Sequence, residues 1–318
     1  MDSVLQTYEK LQRLFEIGVQ RNLADSILLS GGLDTSIVTS IASKYSRLSG
    51  FTVALGSAPD VEFARLIAKK FHLDHRIIEI DERDAERTAI DVISVMRTFD
   101  PMEVRNDVSL LIGLRAARDA GFHEVLTGDA GDELFAGYSF LFKKEVAEIE
   151  ASLRAMWRIM SFSSIPLAGS LSMLAKLPFL DEELKNFAMT IPADLKVRQE
   201  RGVVFGKWIL RKTFEDMLPE EIIWRVKMPI EQGSGTSIMP AYFDAKFSDD
   251  LFSEMRKLHE EDDGVRLSSK EQLAYYEAYR AIFGIPKGSG EGDKACSACQ
   301  AGVQNGANFC RTCGAYAV

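Results

Sequence analysis

Residues 26–40 read SILLSGGLDTSIVTS. A short apolar run enters Ser-Gly-Gly, a carboxylate follows, and the next residues take helical spacing. The pattern predicts a buried strand over 26–30 and a helix over 35–46, with two glycines and Asp34 at the joint. A strand that passes through Gly-Gly into a helix leaves unbonded N–H groups at the helix start. Glycine lets an anion approach that backbone, and the helix dipole favours it. Ser30, Gly31, Gly32, Thr35 and Ser36 therefore read as a phosphate cradle. No G-x-x-x-x-G-K-[ST] occurs, so the cradle is not the P-loop of kinases and GTPases. Asp34 alone would repel an anion. Its presence implies a divalent cation, and Mg²⁺ takes one or two carboxylates together with phosphate oxygens and water. The plainer alternative is a turn whose glycines serve geometry alone.

Working outward, the pattern predicts strands over 51–55, 75–80 and 123–127, and helices over 59–73, 84–99 and 107–121. Short apolar strands alternating with helices predict an α/β fold with a doubly wound parallel sheet, whose ligands sit beyond the carboxyl ends of the strands. TGDAGDELFAGY, residues 127–138, falls at such an end and supplies Gly128, Asp129, Asp132 and Glu133. Seen alone, this is an acidic turn with a helix cap. Together, two carboxylate-bearing glycine loops can meet over one metal–phosphate group. From about 139 to 285 the pattern turns mostly helical, and no repeat of 20–50 residues is visible.

Here the residues resemble a known family. LLSGGLDTS is similar to the pyrophosphate loop of the ATP-pyrophosphatase superfamily. LTGDAGDELFAGY is similar to the second signature of the synthetase domain of glutamine-dependent asparagine synthetases. The likeness continues, in the family's order, through GSAPDVEFARLIAKKFHLDH, LPFLDEELKNFAM, KWILRKTFEDMLPEEIIWRVKMPIEQGSG and YYEAYRAIFG, and spans roughly residues 8–285. β-Lactam and carbapenam synthetases share this domain, so the resemblance leaves the acid and the amine open.

The resemblance implies an adenine nucleotide alpha hydrolase-like sheet with a helical second half, and an ATP-dependent ligase that forms an acyl-adenylate. Leu28, Val53 and Gly128 match positions that hold adenosine. Ser30, Gly31, Gly32, Thr35 and Ser36 match those that hold pyrophosphate, and Asp34 and Asp132 those that hold Mg²⁺. Asp129 and Lys227 match catalytic positions, the lysine as a stabiliser of developing negative charge. Arg105 aligns with an arginine near the substrate side. Two features depart from the pattern. The chain has no cysteine before Cys296, so the family's cysteine nucleophile for glutamine hydrolysis is not expected here. Ammonia, another amine or a separate glutaminase subunit would then supply nitrogen. In LSMLAKLPFLD, Leu174 and Lys176 stand where the family commonly has Glu and Arg, and the preceding MSFSSIPLAGS lacks an Asp/Arg pair. ATP chemistry is therefore better specified than aspartate as the acid.

All four cysteines lie in the last 23 residues, as Cys296, Cys299, Cys310 and Cys313. Paired CxxC knuckles suit a structural tetrahedral Zn²⁺ site, and so short a ribbon has almost no core without metal. The expected organisation is a synthetase domain over 1–285, a Gly/Ser/Lys linker over 286–293 and a zinc ribbon over 294–318 that docks a partner. The net charge of -9 disfavours nucleic acid as the main partner, and no apolar run of membrane-spanning length is present. The N-terminus lacks the basic start and apolar centre of a signal peptide, so the cytoplasm is the expected compartment. An RNA-modifying relative of the superfamily, or a non-catalytic nucleotide- or partner-binding one, are the competing readings.

Overall fold

The computed structural model describes residues 2–288, 294–303 and 307–316, so part of the expected linker, 289–293, lies outside the described residues. The chain packs into two compact units. The first comprises Met1–Val53, Pro59–Ile78 and Gly113–Pro229; the second comprises Ala54–Ala58, Glu79–Ile112 and Ile230–Val318. The expected division at 286–293 follows the covalent chain, whereas these units follow packing, and the ribbon falls in the second.

The first unit carries the sheet, apart from the last two residues of each of two strands. Five strands, β1 (Ser26–Leu28), β2 (Ser49–Leu55), β3 (Asp74–Ile80), β4 (Glu124–Leu126) and β5 (Leu174–Lys176), lie in the order β3-β2-β1-β4-β5. β1 pairs in parallel with β2 and with β4, and β4 with β5. The direction of strand addition reverses between β1 and β4, where doubly wound sheets open their ligand crevice. β5 lies inside the stretch expected to be mostly helical. Three residues with an exposed Leu174 and a Lys176 paired to Glu124 offer no readable alternation, and only β4 pairs with them.

Helices α1 (Asp2–Arg21), α2 (Leu33–Ala42), α3 (Asp60–Lys70), α4 (Glu82–Met96), α5 (Pro101–Asp119) and α6 (Gly131–Phe135) follow the predicted spacings with shifted ends. α4 stops at Met96, not 99, because Arg97 turns left-handed at φ 56° and its N–H bonds back to Ile93 O at 2.9 Å. α5 begins at Pro101, six residues earlier than predicted. Proline is at home in the first helical position, and Asp100 Oδ1 accepts the N–H of Met102 at 3.1 Å. Within the stretch expected to be mostly helical, the KWILRKTFEDM run is helical only over Trp208–Thr213.

α1 buries Leu11, Leu14, Phe15 and Val19 in the core of the first unit. Phe15 meets Phe179 and Phe214 edge-on, at centroid distances of 5.0 and 5.2 Å. Phe135, the last residue of α6, packs against Phe179 at 6.2 Å, which ties the second glycine loop to this aromatic centre. In the second unit, Phe99 packs on Tyr276 and Tyr279 at 5.1 and 5.2 Å.

Among the described residues of the first unit, Lys196 is a buried ammonium without a hydrogen-bond partner. It is fully buried, and its Nζ sits 4.9 Å from the centre of the Trp157 ring. Burial pushes its pKa down to about 7, against a small upward pull from Glu150. An unfolded lysine titrates near ~10.4. Between these values the unfolded chain holds more protons than the folded one, so stability should rise with pH across that window and fall as pH drops toward 7. Lys196→Met should flatten this rise and raise the unfolding free energy at pH 7 by about 1–2 kcal/mol. Urea titrations of both proteins at pH 7 and pH 9.5 measure the difference; parallel pH dependence in the two would contradict it.

Candidate functional site

The first loop follows β1 directly. Leu29 N–H donates to Phe51 O at 2.8 Å, and the chain then leaves the sheet. Gly31 takes φ 64°, and a Cβ there would lie 2.4 Å from the backbone of Phe63 and Ala64, so both the turn and the packing require glycine. Ser30 Oγ accepts from Gly32 N–H at 3.2 Å and lies 3.3 Å from Thr35 Oγ1. α2 then begins at Leu33 with Gly32 as a cap that offers no side chain. Its first N–H groups are left for a ligand.

The second loop follows β4 and folds onto the first. A Cβ on Gly131 would stand 2.5 Å from the Asp34 carboxylate, so glycine is what lets α6 start against Asp34. This closeness brings Asp34 and Asp132 to one point. Lys207 Nζ pairs with Asp34 Oδ2 and lies 2.8 Å from Asp132 Oδ1, while Lys227 Nζ pairs with Asp132 Oδ2. Lys207 is held there by its backbone, left-handed at φ 56°, whose N–H donates to Phe135 O at 3.0 Å. Burial opposes ionisation of Asp132, but Lys207 and Lys227 outweigh it and hold that carboxyl well below the usual range. Asp34, with a single ammonium in contact, is raised by burial. Asp34 Oδ1 is buried and accepts no hydrogen bond among the described residues.

Leu28 and Val53 lie on the neighbouring strands β1 and β2. Both flank Gly113, whose Cβ would lie 2.9 Å from Leu28 Cδ2 and 3.6 Å from Val53 Cγ2. Thus Leu28, Ser30, Gly31, Gly32, Asp34, Thr35, Ser36, Val53, Gly128, Asp129, Asp132 and Lys227 all belong to the first unit, on or after the ends of β1, β2 and β4 and on the segment leaving Trp224.

The family profile described as asparagine synthase matches residues 10–169 and 167–300. The chain belongs to the asparagine synthase family. An asparagine synthetase [glutamine-hydrolyzing] of Sandersonia aurantiaca is 29% identical over 251 residues, covering 71% of this chain and 48% of its own length. Asparagine synthetase [glutamine-hydrolyzing] 2 of Lotus japonicus is 30% identical over 250 residues, covering 71% of this chain and 42% of its own. The chain thus spans less than half the length of these curated relatives. Among solved structures, NMN synthetase from Francisella tularensis overlaps 88% of this chain and 94% of its own at 13% identity and a TM-score of 0.39, too loose to carry a conclusion.

In this member of the asparagine synthase family, Asp129 is half-buried beside the charge cluster. Its Oδ2 accepts from the Ser164 hydroxyl, and its N–H lies 3.4 Å from Thr127 Oγ1. Burial raises its pKa, and the Ser164 and Thr127 hydrogen bonds pull it partly back. Ser164 comes from MSFSSIPLAGS, the stretch that lacks the family's Asp/Arg pair. Arg105 belongs to the second unit, where Nε and NH1 reach Glu231 and Glu271, each at 2.6 Å. It is not gathered with the other candidates in the first unit.

Sequence reasoning passed over Lys207 and Arg225. Lys207 stands in the quoted KWILRKTFEDM run, but its long-range partners carry no local pattern. Arg225 stands two residues before Lys227, and its partners too lie far away in the sequence, Asp60 and the Ser30–Gly31 carbonyls.

Two buried carboxylates, one with an oxygen lacking a donor, fit a Mg²⁺ ion that shares phosphate oxygens and water. The four cysteines fit zinc on geometry. Cys296 Sγ–Cys313 Sγ and Cys299 Sγ–Cys310 Sγ are each 3.7 Å, and all four sulfurs lie within 4.8 Å of one another. A regular tetrahedron with Zn–S near ~2.3 Å has edges of about 3.8 Å. The knuckles turn through left-handed Gln300 and Gly314. Within the second unit the ribbon is bonded to its neighbours. Phe99 N–H donates to Thr312 O at 2.7 Å, Gln272 Nε2 to Cys313 O at 2.9 Å, and Arg266 N–H to Ala298 O at 2.8 Å.

Removing Lys207 should leave Asp34 and Asp132 facing one another with only Lys227 to compensate. Lys207→Ala is expected to lower the unfolding free energy by about 3 kcal/mol. Adding Asp34→Asn should restore part of it, as read by urea unfolding at pH 7. A wild-type midpoint for the single variant would show that the cluster is not balanced in this way.

Proposed function

We propose that this chain is an ATP-dependent, AMP-forming carbon–nitrogen ligase that adenylates a carboxylic acid, aspartate or a related acid, and passes the acyl group to ammonia or another amine. The observation that supports this most is the convergence of the two glycine loops at the strand-order reversal, with Asp34 and Asp132 brought together beside the start of α2. The loop N–H groups and the hydroxyls of Ser30, Thr35 and Ser36 would bind the β- and γ-phosphates, and Leu28, Val53 and Gly128 the adenosine. Asp34 and Asp132 would hold Mg²⁺, which when bound supplies charge neutralisation on the phosphates. Lys207 and Lys227, now spent on the two carboxylates, would be freed to meet phosphate and acyl oxygens.

In the first step an acid carboxylate oxygen attacks the α-phosphorus and the bond to the β-phosphate oxygen breaks, releasing pyrophosphate. In the second, the amine lone pair attacks the acyl carbon, the C–O bond to AMP breaks, and the amine gives up a proton. Asp129, whose carboxyl pKa is raised by burial, would accept that proton. Lys227 would stabilise the oxyanion. Arg105, engaged by Glu231 and Glu271, is assigned no step.

Residues 1–285 would form the synthetase part, 286–293 a linker, and 294–318 a ribbon whose Zn²⁺ is structural. Among the described residues no helix is long and apolar enough to cross a membrane, and we place the protein in the cytoplasm. A separate glutaminase subunit is the partner class that this chemistry would use.

Incubation with ATP, Mg²⁺, ammonium chloride and a panel of acids, aspartate first, should yield AMP and pyrophosphate. Asp34→Ala and Asp132→Ala should each lower turnover on the order of a hundredfold or more. ADP and phosphate as main products would refute adenylation. Within these 318 residues no cysteine precedes Cys296, so glutamine should not replace ammonium, and glutamate release by the pure chain would overturn that expectation.

Metal analysis should find one zinc per chain. The double variant Cys299→Ser/Cys310→Ser should lose it, whereas retention would place the metal elsewhere.

A further inference from the structure

Arg225 opens the irregular stretch that leads to Lys227 and lies deep in the first unit, with its side chain 10% exposed. Its NH2 donates to Asp60 Oδ1 at 2.5 Å, and Asp60 is the first residue of α3. Its Cζ stands 3.9 Å from the centre of the Phe63 ring, one turn further along the same helix. Its NH1 faces the first glycine loop, 3.3 Å from Gly31 O and 3.5 Å from Ser30 O. The backbone behind it is fixed as well. The buried Arg211 donates through NH1 to the carbonyls of Ile223 and Arg225, the latter at 3.1 Å, and through Nε to Gly206 O at 3.0 Å.

These contacts have a directional consequence. In a trans peptide the C=O and N–H point in opposite senses. The Ser30 carbonyl shares its peptide with the Gly31 N–H, and the Gly31 carbonyl with the Gly32 N–H. Drawing both carbonyls toward Arg225 turns both N–H groups to the opposite side of the loop. Glycine has no side-chain preference of its own to fix those planes. Ser30 Oγ accepts from the Gly32 N–H from within the loop, which leaves the Ser30–Gly31 peptide without a loop hydroxyl to orient it.

We propose that Arg225 is a positioning residue for the nucleotide loop: clamped between Asp60 and Phe63, it fixes the Ser30 and Gly31 carbonyls and so aims the Gly31 N–H for phosphate. Its second effect is on register. Because Arg225 and Lys227 stand two residues apart on one segment outside helix and strand, anchoring the first limits where the second can reach, and Lys227 reaches Asp132. The guanidinium fork is needed because one group must serve a carboxylate and two carbonyls at once, which an ammonium on a shorter reach cannot do. The nucleotide part of this inference rests on the function proposed above; the aiming of the loop does not.

The test uses the full chain carrying Arg225→Lys, Arg225→Ala or Asp60→Asn. Amide hydrogen exchange is followed without nucleotide in the peptide covering 26–36, and Mg·ATP affinity is measured by equilibrium dialysis. Faster exchange confined to 26–36 in Arg225→Lys and Asp60→Asn, with thermal midpoints near wild type, is the expected result. Mg·ATP should bind about tenfold more weakly, and ethylguanidine should restore affinity to Arg225→Ala. Unchanged exchange at 26–36 in a folded Arg225→Lys overturns the proposal, as does acceleration spread over the whole first unit, which would make Arg225 a general packing residue. Absence of Mg·ATP binding by the wild type would instead count against the nucleotide reading, with the exchange data still deciding the role of Arg225.

Discussion

Two carboxylates buried side by side must be neutralised, and much of the first unit is arranged to do so. Asp34 and Asp132 come from loops almost a hundred residues apart, yet share the Lys207 ammonium, with Lys227 completing a balanced set of four charges. Such a set tolerates little displacement, because an unpaired buried charge costs several kcal/mol. That constraint accounts for features that look unrelated. Gly131 is bare so that α6 can start against Asp34, Lys207 adopts a left-handed backbone to deliver its ammonium, and Phe135 anchors α6 in the aromatic centre around Phe15 and Phe179.

The sheet contributes by being short at its centre. β1 and β4 are three residues each, so their carboxyl ends are quickly reached and both glycine loops emerge at the reversal of strand order. Short strands hold loops weakly by ladder bonds alone. The deficit is met by side chains: Ser26 Oγ donates to Glu124 O at 2.7 Å across the β1–β4 pair, and Arg225 grips the loop from behind.

What could be read in the sequence was what is local. β1, the Gly-Gly turn, α2 and the TGDAGDELFAGY loop announce themselves by spacing and composition, and the structure places them as expected. The ends of helices were less legible, since α4 is stopped by a left-handed Arg97 that no rule of composition requires. β5 was missed because three edge residues have no periodicity. Its Lys176, read as a departure on the substrate side, is occupied with Glu124. Lys207, Arg225 and the glutamate partners of Arg105 were invisible for a different reason. Each is defined by a partner 126 to 195 positions away, and a single sequence records the residue without recording whom it meets.

The hydrogen bonds that join the ribbon to the second unit bear on the order in which the protein can be made. Thr98 Oγ1 donates to Arg311 O at 2.7 Å, and Phe99 N–H to Thr312 O, across more than two hundred residues. The chain passes between the units five times before reaching the ribbon. During synthesis, the segment that begins α5 must therefore wait, with its buried Phe99 uncovered, until residues near 312 have emerged and their cysteines have been gathered. At roughly 5–20 residues per second that is an interval of tens of seconds, long compared with local helix formation. The second unit is thus the last part of the chain to close, and its apolar surface stays open to other contacts until its final residues arrive.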